Sequence, residues 1–240
     1  MDAAADNQHE TLLISQNQRN GSVHSSFLCG KGGKDLSKKE EKKENIRRQI
    51  INAAQIYSNE LAGKVFMYVY GKEYFEVMFL TDRFLHLTGV ETALSAQDFY
   101  KKAKKGILEV NQFFFTESHP MGVVKKKLPC LSRLPELTKS MICIVKKMNT
   151  VSITYTIGLT NLEFTLGLTE NTDKTGKKIN DYYVPRSLRV KDHAIDISED
   201  GDIVDFILMK DASAGRYDRI LFADPNKKLP DEIKCFTKNI

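Results

Sequence analysis

The stretch KVFMYVYGKEYFEVMFL, residues 64–80, predicts a β-hairpin that organises the fold. Its first half is apolar at almost every position, which is typical of a strand covered on both faces. Gly71 and Lys72 separate the two halves, and a glycine at the first position of a two-residue turn favours a type II′ hairpin. We therefore expect antiparallel strands at 64–70 and 73–80, with other elements packed on both sides of the first.

A helix and a polar leader precede this hairpin. Residues 37–61 begin with a capping-box pattern and then repeat apolar residues at helical spacing, which predicts an amphipathic helix. Residues 1–36 are rich in Asn, Gln, Ser and Gly and show almost no periodicity, so we expect a disordered leader. The predicted organisation is a leader at 1–36 followed by a single domain at 37–240.

The segments after the hairpin predict short helices and one more strand. RFLHLTGV, residues 83–90, is interpreted as an extended segment that ends in a turn at its glycine. Residues 95–105 predict a helix between a serine cap and a glycine stop. Residues 107–115 predict a strand, and the three prolines of residues 120–140 predict helical pieces broken by proline.

Apolar and polar residues alternate in the second half of the chain, from residue 141 onward. Such alternation is typical of antiparallel strands with one buried face. The predicted strands are residues 150–157, 162–168, 182–190, 202–210 and 217–223, with a polar loop at 169–181. Together these elements predict an α+β fold in which the N-terminal helix packs on a mostly antiparallel β-sheet.

Composition and targeting signals narrow the class of protein. The net charge of +5 is compatible with a nucleic-acid partner and does not require one. Four scattered cysteines form no C-x-x-C pair, so we expect reduced thiols. The chain shows neither a signal-peptide pattern nor an apolar run of about 20 residues, the length that a membrane helix needs. These features predict a soluble cytoplasmic protein with no membrane partner.

Several familiar catalytic motifs are missing from the sequence. There is no phosphate-binding loop, dinucleotide fingerprint, zinc-protease helix or nucleophile elbow. No two histidines have metal-ligand spacing, and the acidic residues do not cluster as in a two-metal nuclease. If the protein is an enzyme, we expect it to work without a metal or a cofactor.

Polar residues inside apolar segments are the candidates for chemistry. His86 and Thr88 each follow a leucine, and in an extended segment they would share one face. In a second interpretation, Thr88 and Gly89 form only a turn, and His86 packs beneath the helix that starts at Ser95.

Three further polar residues stand at the edges of apolar segments. Ser187 follows a Pro-Arg pair, Lys210 closes the run DFILMK, and Tyr217 opens the last predicted strand. The structural alternatives are a turn for Ser187, and for Lys210 a strand end that faces solvent or protects a sheet edge.

The order of these pieces resembles one known family. The hairpin is followed by FLHLTGV, DFYKKAKKGIL, an LGL strand, YYVPRSLRVKDHA and IVDFILMKDASAGRYDRILF, over roughly residues 44–224. In this order the chain resembles the fourth group of phage-associated Barnase-EndoU-Colicin-RelE-like nuclease domains, which occur in prophages and mobile elements. HLTG with the following FY, and P-x-S-L with the later Lys, Tyr and Ile, carry most of the resemblance.

The resemblance implies metal-independent cleavage of RNA through attack of the 2′-hydroxyl, which leaves a 2′,3′-cyclic phosphate. The implied catalytic residues are His86, Ser187 and Lys210. The implied substrate-binding residues are Thr88, Arg186 and Tyr217. We expect these six side chains to converge in one cleft. RNA is the expected substrate, an immunity protein or a host protein is a candidate partner, and no cofactor is expected.

A different class of function fits the same residues. The domain would then be a binding module of a mobile element that holds nucleic acid or a host protein without cleaving it. The lysine groups at 101–105 and 125–127 support either function, because phosphate contacts contribute affinity whether or not cleavage follows. A regulatory or toxin-neutralising role is a third interpretation, which nothing in the sequence favours.

Deletion of residues 1–36 is expected to leave the thermal stability of the protein unchanged. The leader has few apolar residues, so its burial would not offset an ordering cost of roughly 1–2 kcal/mol per residue. Thermal unfolding of the full chain and of the truncated chain checks this expectation. A melting temperature lowered by many degrees would show that the leader packs on the domain.

Overall fold

The structure is a computed structural model that describes residues 37–149, 154–190 and 201–238. Its helices are α1 (Lys38–Glu60), α2 (Phe84–Thr88), α3 (Ala96–Lys104), α4 (Met121–Ser132) and α5 (Asp231–Lys234). Its strands are β1 (Lys64–Tyr70), β2 (Glu73–Met78), β3 (Cys143–Asn149), β4 (Thr154–Thr160), β5 (Phe164–Thr172), β6 (Lys178–Val190), β7 (Phe206–Asp211) and β8 (Arg219–Ala223). The predicted leader, 1–36, lies outside the described residues, as do residues 150–153.

All eight strands belong to one sheet, in the order β3-β4-β5-β6-β2-β1-β7-β8. Among the described strands, neighbours pair antiparallel except β2 and β6, which are parallel through Val77 and Tyr183. With the helices packed on this sheet, the predicted α+β fold with a mostly antiparallel sheet is confirmed.

Strand β1 lies inside the sheet and is buried on both faces, as its composition predicts. Residues 65–69 are all fully buried. Phe66 and Tyr68 belong to a larger hydrophobic core that also contains α1 and α3. Val65, Met67 and Val69 belong to a smaller core. This core also includes Tyr217 and, from α5, Ile233. The sheet therefore separates two cores, and the C-terminal segment covers the smaller one.

The local signals around β1 have the predicted geometry. Gly71 has φ of 59° between the paired residues Tyr70 and Glu73, so the turn uses the left-handed backbone that glycine adopts without strain. At the start of α1, the Ser37 hydroxyl accepts a hydrogen bond from the Glu40 N–H at 3.3 Å. The Glu40 carboxylate accepts the Ser37 N–H at 2.9 Å, which completes the capping box.

The prediction of a strand at 107–115 is wrong. Residues Val110–Gln112 form a short 3-10 turn, and Phe114 makes only an isolated bridge to Glu91. The reason is local hydrogen bonding: the Glu109 N–H donates to the Gln112 side chain at 3.1 Å. Such side-chain bonds satisfy the backbone without a neighbouring strand.

The polar loop predicted at 169–181 is also wrong in its extent. Strand β5 continues to Thr172 and β6 begins at Lys178, so most of the segment is a long hairpin. Its turn is closed by the Asp173 carboxylate, which accepts the N–H groups of Thr175 at 2.8 Å and Lys177 at 3.0 Å. These strand ends are largely polar and exposed, so they lack the apolar alternation that marks a buried strand.

Helix α4 and strands β3, β7 and β8 also differ from the sequence prediction. Helix α4 runs through Pro129 for twelve residues, and the 3-10 turn Leu134–Thr138 follows it with proline in its first turn. Strand β3 has no counterpart among the predicted strands, because adjacent lysines interrupt its alternation. Strands β7 and β8 begin later than predicted, at Phe206 and Arg219.

The state of the cysteines and the length of the helices bear on two further predictions from the sequence. Cys130, Cys143 and Cys235, the cysteines within the described residues, are free thiols. Over the same part of the chain, no helix has both the length and the apolar character needed to cross a bilayer.

Candidate active site

The segment RFLHLTGV is helical, so the prediction of an extended segment is wrong. A 3-10 turn at Thr81–Arg83 leads directly into α2. Phe84 and Leu87 are fully buried, at the i, i+3 spacing of a helix. Four residues that alternate between apolar and polar are too few to distinguish a strand from a helix turn. His86 and Thr88 are about 200° apart around the helix axis, so they do not share a face.

Thr88 and Gly89 end this helix. Thr88 is fully buried, and its hydroxyl donates to the Leu85 carbonyl at 2.7 Å and accepts the Val90 N–H at 3.2 Å. Gly89 has φ of 74°, and a Cβ atom there would lie 3.2 Å from the aliphatic stem of Lys127. Glycine is therefore suited both to the left-handed backbone of this turn and to the close approach of the Lys127 side chain. The contacts of Thr88 are structural.

His86 lies on a cleft of about 710 Å³ between α2, α4 and β6. We call it the basic cleft. Its polar lining consists of His86, Ser118, His119, Lys126, Lys127, Arg186, Ser187 and Arg189. Among the described residues that line it, none is acidic. Two imidazoles and four cationic side chains therefore surround a space that favours an anion such as a phosphate.

Helix α4 supplies one wall of the basic cleft. Val123, Lys126 and Lys127 face it at i, i+3 and i+4, which is one side of a helix. Val124 and Leu128 are fully buried in the larger core. Because the apolar side of α4 is held in the core, its lysines are directed to the cleft.

A bulge in β6 places Arg186 at the opposite wall. Ser187 pairs with Gly167, whereas the next pair joins Pro185 to Leu168, so Arg186 is an extra residue without a partner in β5. A bulge of this kind bends a strand and redirects a side chain. Arg186 and Ser187 both line the basic cleft as a result.

The pKa of His86 lies below the ordinary value of a histidine. Partial loss of hydration is the largest cause, followed by the positive charges of Arg186 and Arg83, while Asp82 and Glu91 act in the opposite direction. The side chain nevertheless remains exposed to solvent. The lowered pKa favours the neutral imidazole, which can accept a proton.

His119 is a site residue that the sequence analysis missed. Its Nδ1 lies 2.9 Å from the Glu91 carboxylate and 3.4 Å from the Ser118 hydroxyl. A carboxylate at Nδ1 orients the ring and leaves Nε2 for another partner. The only signal in the sequence is its position before the lysine-bearing helix α4, which does not predict a role.

Lys210 and Tyr217 lie elsewhere. Lys210 pairs with Val65 in the sheet, and Val65 belongs to the smaller core, on the face opposite to α2. The Lys210 Nζ lies 3.7 Å from the Glu76 carboxylate and 4.6 Å from the centre of the Tyr217 ring. The Tyr217 hydroxyl donates to the same carboxylate, and burial is the main cause that raises its pKa. We call these three residues the Lys210 cluster.

The six predicted site residues therefore do not meet in one cleft. The structure brings three of them together, His86, Arg186 and Ser187. Thr88 is buried behind α2, and Lys210 and Tyr217 are on the other face of the sheet. Side-chain direction along a strand depends on register, and register was not available from the sequence.

Comparison with known proteins gives one match. The family model described as phage-Barnase-EndoU-ColicinE5/D-RelE like nuclease4 matches residues 49–223. The chain belongs to this nuclease family. The matched range contains α2, α4 and β6, and so the elements that frame the basic cleft. Curated proteins and solved structures give no match.

In this nuclease, Arg186→Gln is expected to raise the pKa of His86. The substitution removes a positive charge that opposes protonation of the imidazole. A titration of the His86 ring followed by NMR measures the shift. Arg48→Gln, at an exposed position of α1, is the control and should leave the pKa unchanged. An unchanged His86 pKa in Arg186→Gln would show that the two side chains do not interact.

Lys210→Ala is expected to destabilise the nuclease by about 1–3 kcal/mol, because it leaves the largely buried Glu76 carboxylate without its cation. Urea unfolding measures the change. The double variant Lys210→Met/Glu76→Gln removes both charges and should be more stable than Lys210→Ala.

Cleavage per folded molecule should be retained in both variants. Unchanged stability together with lost cleavage would instead support the catalytic role predicted for Lys210.

Proposed function

We propose that the protein is a metal-independent ribonuclease whose active site is the basic cleft. The observation that carries this proposal is the composition of the cleft, which combines two histidines with four cationic side chains and has no acidic residue among its described lining. Membership of a nuclease family supports it, because a nuclease acts on a phosphodiester.

The reaction needs no added water or metal in its first step. The 2′-oxygen of one nucleotide attacks the adjacent phosphorus and loses its proton to a base. The bond from phosphorus to the 5′-oxygen breaks, and an acid protonates that leaving oxygen. The products are a 2′,3′-cyclic phosphate and a 5′-hydroxyl. Side-chain cations can stabilise the charge that grows on the phosphate oxygens.

The two histidines supply complementary proton-transfer groups. His86 is the base, because partial burial and the positive charges of Arg186 and Arg83 lower its pKa and favour the neutral form, which accepts the 2′-hydroxyl proton. His119 is the acid, because the Glu91 carboxylate at 2.9 Å from Nδ1 orients the ring and leaves Nε2 directed to another partner, the leaving oxygen. Each role contributes about 10²–10⁴-fold in rate in enzymes of this type.

The cationic residues bind the phosphate from both walls of the cleft. Lys126 and Lys127 approach from α4, and Arg186 approaches from the bulge in β6. Arginine matches the planar geometry of two phosphate oxygens, so Arg186 is suited to the phosphate that reacts. Ser187, the next residue, adds a hydroxyl donor. Of the catalytic residues implied by the family resemblance, His86 and Ser187 lie in this cleft and Lys210 does not. Arg186 replaces Lys210 as the cation.

The alternative is a module that holds nucleic acid in the basic cleft without cleaving it. The same lysines and arginines would provide the affinity, and the histidines would have no proton to transfer. A phage origin, a toxin role, cytoplasmic localisation and an immunity or host protein as partner stay predictions.

Purified protein is expected to cleave end-labelled RNA in excess EDTA and to leave fragments that end in a 2′,3′-cyclic phosphate. Mass spectrometry of the products identifies that group. DNA of the same sequence should stay intact, because it has no 2′-hydroxyl. Loss of cleavage in EDTA would contradict the metal-independent mechanism, and RNA binding without cleavage would support the module.

His86→Ala and His119→Ala are each expected to lower kcat by at least about 100-fold while RNA affinity changes little, because a proton-transfer group contributes little to ground-state binding. His24→Ala, in the predicted leader, is the matched control and should retain full activity. Full activity of His86→Ala would rule out this site.

A further inference from the structure

A second cleft of about 1060 Å³ adjoins the basic cleft. It lies between the 3-10 turn at Thr81–Arg83 and the hairpin formed by β5 and β6. Tyr155 and Arg186 line both clefts. Because two side chains are shared, a bound polymer can occupy the two spaces with adjacent groups. The second cleft has no role in the proton transfers described above.

The lining of the second cleft differs in chemistry from that of the basic cleft. It includes the carboxylates of Asp82 and Glu170, the amide of Asn171 and the apolar side chains of Leu168 and Ile179. Carboxylates repel a phosphate but accept hydrogen bonds from N–H groups. A nucleobase combines a flat apolar face with an edge of donors and acceptors, so it suits this mixture of side chains.

Two polar atoms in the wall of the second cleft have no hydrogen bond. The Oδ1 of Asp82 and the Nε of Arg83 are both buried and unbonded, and their closest approach to each other is 3.8 Å, beyond hydrogen-bond distance. Buried polar groups are normally paired, and an unpaired one weakens the fold. Because the Asp82 side chain as a whole is 45% exposed while its Oδ1 is buried beside Arg83, the Oδ2 is the atom that can accept a hydrogen bond from a ligand.

The chain itself links the two clefts. Arg83 and His86 are three residues apart, across the junction of the 3-10 turn and α2, or about one helical turn of 5 Å. A base that binds Asp82, the residue before Arg83, therefore has its ribose on the side of His86. Arg186 lines both clefts, so it can reach the phosphate on the 3′ side of that ribose.

We propose that the second cleft binds the base of the nucleotide whose 2′-hydroxyl attacks, and that it favours bases with an exocyclic amino group. This inference rests on the ribonuclease function proposed for the basic cleft. Adenine, cytosine and guanine each carry an amino group that donates to a carboxylate, whereas the one donor on the uracil edge, N3–H, lies between two carbonyl oxygens that repel a carboxylate. The substrate class is therefore an RNA strand with A, C or G, and not U, on the 5′ side of the cleaved bond.

The test uses four DNA oligonucleotides, each with a single ribonucleotide, rA, rC, rG or rU, at the same position. Cleavage is possible only after the ribonucleotide, so the measured kcat/KM reports one base. We expect the rU substrate to be cleaved about tenfold or more slowly than at least one of the other three. Equal rates for all four substrates would overturn the proposal.

Two variants locate the preference. Asp82→Asn and Glu170→Gln keep the size of the side chain and remove a carboxylate, so the ratio of kcat/KM between the preferred base and uracil should fall toward one. Asp202→Asn is the matched control, because Asp202 lines a different cleft beside Tyr70 and should leave that ratio unchanged. An unchanged ratio in both cleft variants would overturn the assignment to this cleft.

A binding measurement separates this proposal from the ribonuclease function. Versions of the four oligonucleotides with a 2′-O-methyl group at the single position cannot react, and their affinities are measured by fluorescence anisotropy. Weaker binding of the uracil version, reduced by Asp82→Asn, supports the base site even if no substrate is cleaved. Cleavage of all four substrates with equal affinities supports the ribonuclease and rejects the base site.

Discussion

The burial of β1 on both faces is the constraint on which the rest of this structure depends. A strand with apolar side chains on both sides needs a cover on each, so the chain has to supply two cores. The helices cover one side, and Tyr217 and Ile233 of the C-terminal segment help to cover the other. The basic cleft belongs to the helical side, because α2 and α4 frame it while their apolar residues complete the larger core.

Local signals in the sequence were sufficient for some elements and insufficient for others. The caps of α1 and α3 and the turn at Gly71 are encoded within four or five residues, so they were predicted correctly. Helix α2 is only five residues long, and its apolar residues fit a strand equally well. The far end of the hairpin of β5 and β6 was predicted as a loop because its residues are mostly polar and, apart from Asn171, partly or fully exposed.

Some residues of the candidate site could likewise be grouped from the local sequence, and others could not. Arg186 and Ser187 are adjacent in sequence, and His86 reaches them because α2 packs beside β6. Lys210 was grouped with them by the family resemblance alone. Its side chain points to the face of the sheet opposite to α2, because Lys210 pairs with Val65. A shift of one residue in that pairing would move the side chain to the other face. The Glu91 partner of His119 lies 28 positions away, beyond any local pattern.

The position of β7 in the sheet has a consequence for how the protein is synthesised. Strand β1 ends at Tyr70, but its second neighbour begins only at Phe206. During translation, the hairpin of β1 and β2 can form at once, whereas one edge of β1 lacks its partner until residues 206–211 have left the ribosome. Strand β6, which carries Arg186, is also made late and has to join β2 across about a hundred residues of chain. The basic cleft is thereby incomplete until β6 has been synthesised and has joined the sheet.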